Sequence, residues 1–179
     1  MATTGYPSGV NALRSQEEGF LIPTRERPDR FFHATSEENA LRIQEEGFKI
    51  PDGSGGLLGR GVYCTTTLKK AMEYLKGPCG GVILQLKIDL GKCKQLVPDD
   101  PMMTTWQNQY DSAWAPFSAV NPNDQGKQEN CVKDPKRIQV INVIPGDEKK
   151  LRWGGYDIID NKLTKVRTDT TRPQQVAAV

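Results

Sequence analysis

The residues able to do chemistry gather in one stretch. From Arg30 to Leu75 the chain reads RFFHATSEENALRIQEEGFKIPDGSGGLLGRGVYCTTTLKKAMEYL. It holds the only histidine, His33, the densest glycine run, and two tyrosines, Tyr63 and Tyr74. An imidazole can give or take a hydrogen bond near neutral pH, and a phenol ring can stack on a flat ligand. A histidine at one strand end and a tyrosine at another, with flexible backbone between them, make a cleft floor. That is a small-ligand site in outline. Each residue also has a plainer reading. A lone histidine behind two phenylalanines is by default a hydrogen-bonded, partly buried side chain, and either tyrosine alone could belong to the core. The joint spacing argues for a site.

The elements that must position these residues can be read from the same stretch. Arg30–His33 reads as a short apolar strand ending in His-Ala-Thr. Ser36–Gly47 reads as a helix, with Ser36 as N-cap, acids in the first turn and Gly47 as the stop. Gly53–Gly61 is too glycine-rich to be anything but a loop. Val62–Thr65 is a second short strand and Thr67–Lys76 a second helix. The glycines do not satisfy G-x-G-x-x-G, and no Gly-Lys-Ser/Thr follows. Neither a Rossmann nor a P-loop phosphate cradle is written here.

Further on, GVILQLKIDL at Gly81–Leu90 is aliphatic and alternating, the pattern of a central strand. Gln95–Pro98 is read as a brief strand. Asp99–Gln128 is read as a long ordered loop with one short helix at Thr104–Trp114, because it carries Trp106, Tyr110 and Trp114. Glu129–Val132 and Arg137–Ile144 are read as strands, Gly146–Lys150 as a turn, and Trp153–Asp157 with Lys162–Arg167 as a hairpin about Asp160-Asn161. Strands outnumber helices and the helices come early, which argues α+β with mostly antiparallel sheets. One feature stands apart. NALRSQEEGFLIP at Asn11–Pro23 recurs as NALRIQEEGFKIP at Asn39–Pro51 with two differences. The first copy has no histidine before it and is read as a spare helix and turn without its own site.

Composition narrows the class. The chain has 179 residues, 36% of them hydrophobic, enough for one domain with a real core. Twenty-four basic against 22 acidic residues leave a net charge of +2, which makes no electrostatic case for a nucleic-acid binder. No apolar run approaches the roughly 18 residues of a membrane span, and no signal-peptide pattern opens the chain. Cys64, Cys79, Cys93 and Cys131 are irregularly spaced with no C-x-x-C pair, so no zinc site is expected. Reduced thiols are expected, in a cytoplasmic or nuclear protein.

The motifs together resemble a family. His33-Ala34-Thr35 followed by a helix, then Gly59-Arg60-Gly61-Val62-Tyr63, then Ala71 and Tyr74, is similar to the catalytic domain of poly(ADP-ribose) polymerases. That family writes His-Gly-Ser/Thr, then Gly-x-Gly-Ile/Val-Tyr, then Ser and Tyr eight and eleven residues past the first tyrosine, the spacing from Tyr63 to Ala71 and Tyr74. Its third element, a glutamate opening a late strand as Glu-x-x-Val-x-Asp, is matched by Glu129-Asn130-Cys131-Val132-Lys133-Asp134. By its own local sequence Glu129 is a solvated loop residue, and a shift of one would put Asn130 in its place. The resemblance covers Arg30 to Ile144. Within the family, Ser112–Trp114 and CVKDPKRI at Cys131–Ile138 look most like the small interferon-stimulated, reovirus-induced proteins of fish.

The resemblance implies a set of roles. Splitting nicotinamide from the ribose of NAD passes through an oxocarbenium-like centre, as in glycoside cleavage. The catalytic triad would be His33, Tyr63 and Glu129. His33 would bond a ribose hydroxyl of the adenosine half, Tyr63 and Tyr74 would sandwich the nicotinamide, and Glu129 would bond the ribose beside the broken bond and favour positive charge there. Ala34, Thr35, Gly61 and Ala71 complete the expected NAD-binding set. Two departures bear on it. Ala34 replaces a glycine and adds a methyl. Ala71 replaces a serine and removes one hydroxyl contact, worth about 0.5–1.5 kcal/mol.

The resulting expectation is an ADP-ribosyltransferase-type α+β fold, two antiparallel sheets around an NAD cleft with flanking helices. Its parts are an extension at 1–29 holding the duplicated segment, the domain proper at 30–167, and a tail at 168–179. The expected activity is transfer of ADP-ribose from NAD to a protein or nucleic-acid acceptor, one unit rather than a polymer, with no metal and no membrane partner. A catalytically silent NAD- or ADP-ribose-binding module in antiviral defence is the alternative. An RNA 2′-phosphotransferase, which shares the fold, would need several Arg/His phosphate ligands, and one histidine is too few.

Overall fold

The computed structural model describes residues 29–53, 55–75, 81–116 and 128–166. The first copy of the duplicated segment, Cys79 and the C-terminal tail lie outside these residues, as does most of the expected N-terminal extension.

The first strand, β1 (Phe31–Thr35), buries Phe31 completely and carries His33 at its centre. Ser36 then caps helix α1 (Glu37–Glu46): its hydroxyl accepts from the Asn39 N–H at 3.3 Å, and Glu37 and Glu38 sit in the positive first turn. Gly47 ends the helix at φ 77°, a conformation that favours glycine. Ala40 is fully buried, and the Gln44 amide both accepts from Leu163 N–H (2.8 Å) and donates to Leu163 O (2.9 Å). That reciprocal pair ties α1 to the C-terminal hairpin.

The glycine-rich loop leads to β2 (Val62–Cys64) and helix α2 (Leu68–Tyr74). β3 (Val82–Ile88) is the central strand expected from its aliphatic content. It pairs antiparallel with β1 on one side and with β7 (Ile138–Pro145) on the other. The register slips between Gln85 and Leu86, so Ile141 of β7 is the extra residue of a bulge.

A second sheet runs in the order β2, β6 (Glu129–Val132), β5 (Ser112–Ala115), β4 (Cys93–Gln95). The pairings are mostly antiparallel, as expected; among the described residues the exception is β4 with β5, which are parallel. The connection between them, 96–111, is long enough for a crossover. It folds as turns with a single 3-10 turn at Trp106–Asn108 rather than the expected helix Thr104–Trp114. Trp114 is instead in strand β5, where it pairs with Asn130 of β6. The expected strand at Gln95–Pro98 begins and ends earlier, at Cys93–Gln95.

Helix α3 (Glu148–Trp153) replaces the expected turn at Gly146–Lys150. Asp147 caps it, accepting from Lys149 and Lys150 N–H groups at 2.9 and 3.2 Å, and Leu151 anchors it in the core. The hairpin β8 (Tyr156–Ile159) and β9 (Lys162–Lys165) turns at Asp160 and Asn161, both at positive φ, as a two-residue hairpin turn requires.

Two cores result. One joins β1, α1, β3 and β7 around Phe31, Leu84, Leu86 and Val143. The other lies under the second sheet around Leu58, Trp106, Ala113 and Cys131. The two sheets meet where Phe32 and Thr65 exchange backbone hydrogen bonds of 2.8 and 3.0 Å.

Candidate active site

That junction is also where a cavity of about 270 Å³ opens. Its walls include His33 and Ala34 from β1, Tyr63 from β2, Lys70, Ala71 and Tyr74 from α2, and Glu129 from β6. Six of the expected site residues therefore come together from four elements. Thr35 and Gly61 do not line this cavity. They line an adjoining depression of about 480 Å³ with Asn39, Arg42 and Phe48, and His33 and Tyr63 belong to both.

His33 is oriented by two contacts. Its Nδ1 lies 2.8 Å from the carbonyl of Tyr63, so Nδ1 carries the proton and donates, leaving Nε2 as an acceptor. Its ring meets the edge of Phe48, with centroids 5.2 Å apart and planes at 88°. Burial pushes its pKa below the ordinary histidine value, and the bond to the Tyr63 carbonyl offsets only part of this. The ring is neutral near pH 7.

Tyr63 is half-buried, and its hydroxyl is engaged away from the cavity. It donates to Gly59 O at 2.7 Å and accepts from Gly56 N–H at 3.0 Å. Burial, with the Cys131 thiol adding to it, raises its pKa well above that of a free phenol, so it remains a neutral ring. Cys131 is pushed up to about 12, mainly by burial, and burial raises Cys64 too. Both thiols are inert at neutral pH.

Gly61 holds its place through packing. A Cβ there would overlap Cys131 Sγ and stand 2.8 Å from Val132 O, so only glycine lets β2 start against β6.

Glu129 lines the cavity, while Asn130 is buried in the sheet with its amide donating to Cys64 O at 3.5 Å. Strand alternation separates the two neighbours. Glu129 Oε1 lies 3.4 Å from Lys70 Nζ and 3.4 Å from the Tyr74 hydroxyl. Lys70 also donates to Gln128 O at 3.1 Å. The Lys70 and Glu129 side chains are only 6% and 15% exposed.

Lys70 is not among the residues that the sequence motifs singled out. The signal was present: Lys70 precedes Tyr74 by four residues and so shares its helix face. What could not be seen was that β6 would set a carboxylate opposite that face. Among the described residues no group of three His, Cys, Asp or Glu could hold a metal, and no helix is long and apolar enough to cross a membrane.

The fold is a small α+β domain with a cavity where two sheets meet, lined by two tyrosines, a neutral histidine and a carboxylate. Residues 14–162, most of the chain, match the poly(ADP-ribose) polymerase catalytic domain, and the chain belongs to that family. It is thus a PARP-like ADP-ribosyltransferase domain, from a family that uses NAD as substrate. No curated protein matches the chain.

Proposed function

We propose that this chain transfers single ADP-ribose units from NAD to a protein or nucleic-acid acceptor and releases nicotinamide. The observation that carries the reading is the convergence of His33, Tyr63, Tyr74 and Glu129, from four separate elements, on one cavity. At about 270 Å³ the cavity is small for a ligand pocket, which typically runs roughly 300–1,000 Å³. It suits a ring and part of a sugar. The adjoining depression, reached past His33 and Tyr63, offers room for the rest of a dinucleotide.

In this reading Tyr63 and Tyr74 hold the planar nicotinamide by stacking, a contribution of about 0.5–1.5 kcal/mol per aromatic pair. The bare Nε2 of His33 accepts from a ribose hydroxyl. Glu129 accepts from the second ribose and stabilises the positive charge that develops as the glycosidic bond breaks. Lys70 and Tyr74, in the same wall, hold the carboxylate by one oxygen, Oε1. The likeness of Ser112–Trp114 and Cys131–Ile138 to interferon-stimulated fish proteins supports a role in antiviral defence, in the cytoplasm or nucleus.

Nicotinamide release from NAD tests the core of this reading. Glu129→Gln keeps the shape and loses the charge, and it should lower kcat on the order of 10²–10³-fold, the loss typical of a charge-stabilising group. If wild type releases no nicotinamide while calorimetry still shows NAD binding, the domain is a silent binding module and the transferase reading is wrong.

A further inference from the structure

Tyr63 is held in a way that the cavity itself does not explain. Its ring lines the cavity, but its hydroxyl is tied into the glycine-rich loop through Gly59 O and Gly56 N–H. Gly56 and Gly59 bond each other in both directions, at 3.3 and 3.0 Å, and close a tight turn around that hydroxyl. The fit is close: a Cβ on Gly56 would stand 2.8 Å from Tyr63 Cζ.

The turn is in turn fastened from the far side. Leu58 at its tip is 0% exposed, packed in the second core with Trp106. The Trp106 indole N–H donates to Leu58 O at 2.6 Å. The Gln107 amide donates to Arg60 O at 3.1 Å and to Leu58 O at 3.4 Å. Gly59, at φ +74°, leaves no room for a side chain, because its Cβ would lie 2.7 Å from that same amide. Lys133 Nζ donates to Gln107 O at 2.7 Å, which fixes the segment to the end of β6.

A glycine-rich loop with nothing fastening it would let the phenol hydroxyl wander, and the ring with it. Here two side chains of the 96–111 crossover remove that freedom. We propose that Trp106 and Gln107 are positioning residues for the Tyr63 ring. They hold the Leu58–Gly59 turn, the turn holds the hydroxyl, and the hydroxyl fixes the ring's long axis and so where the ring lies in the cavity. The ordering cost is met in folding rather than in binding, which is the benefit of preorganisation. The claim rests on the reading of the cavity as a nicotinamide seat.

The test uses the full chain. Trp106→Phe keeps an aromatic ring in the core and drops the N–H, Gln107→Leu drops the amide, and Tyr63→Phe keeps the ring and drops the hydroxyl. Nicotinamide affinity is measured by calorimetry, KM and kcat for NAD by nicotinamide release, and the Tyr63 ring by NMR with ¹³C-labelled tyrosine. Trp106→Phe and Gln107→Leu should each weaken nicotinamide and raise KM by about three- to tenfold, the range of one lost hydrogen bond. The fall in kcat should be smaller, and the Tyr63 ring resonances should move. Added to Tyr63→Phe, Trp106→Phe should change affinity less than about twofold, since the link is already cut.

A lowered Tm with unchanged affinity, KM and ring resonances would make Trp106 merely structural and overturn the proposal. So would full multiplication of effects in the double variant. Tyr63→Ala separates the two failures. If it leaves nicotinamide affinity unchanged, the cavity reading is lost, and the ring resonances alone decide whether Trp106 and Gln107 position Tyr63.

Discussion

His33 and Glu129 are both tuned by what surrounds them. The Lys70–Glu129 pair sits in a dry part of the wall, where buried ion pairs add little net stability because desolvation offsets attraction. Its value is positional: it aims one carboxylate oxygen. His33 carries a cost of its own, since burial disfavours its charged form. The unfolded chain takes up a proton near pH 6.5, but the folded chain resists until its lower pKa is reached. The stability due to the neutral ring is therefore complete above about pH 6.5 and is lost as pH falls from there through the folded value. Urea midpoints at pH 7.5 and pH 5 should differ more for wild type than for His33→Gln. An equal difference would mean that His33 is not held neutral by the fold.

At the scale of elements, the site depends on how closely β2 approaches β6. Gly61 is the contact point, and Gly61→Ala would press a methyl onto Cys131 Sγ and Val132 O. Overpacking of this kind costs about 1–3 kcal/mol. The strand pair would have to part, which moves Tyr63 relative to Glu129. Chemical denaturation should show the loss, and nicotinamide release should fall with it. If stability drops but activity per folded molecule is unchanged, the β2–β6 spacing does not set the site.

For the whole molecule, the cavity straddles two sheets that are joined by few direct bonds, chiefly Phe32 with Thr65. A ligand touching β1, β2, α2 and β6 at once bridges both sheets and adds its contacts to those that Cys64 and Cys93 make in the first core. Nicotinamide at a hundred times its Kd should add about 2.7 kcal/mol of stability. For a domain of this size that is a rise of about 5–10 °C in Tm. Thermal scans with and without nicotinamide measure it, and an unmoved Tm at saturation would remove the cavity as its seat.

Six residues that line the cavity were legible in the chain because the motifs that hold them are local. His-Ala-Thr lies within β1, Ala-Met-Glu-Tyr within one turn of α2, and Gly-Arg-Gly-Val-Tyr runs from the glycine loop straight into β2, so short-range pattern places them. Ser36 and Gly47 bounded α1 for the same reason. Other features depended on partners distant in the chain. Lys70 is buried only because β6 sets Glu129 against it, 59 residues away. The parallel pairing of β4 and β5, the extended backbone of Trp114 and the pin from Trp106 to Leu58 all follow from where a long crossover returns. Burial and cross-strand hydrogen bonding outweigh local preference at such places, and those forces act only once the chain has folded back on itself.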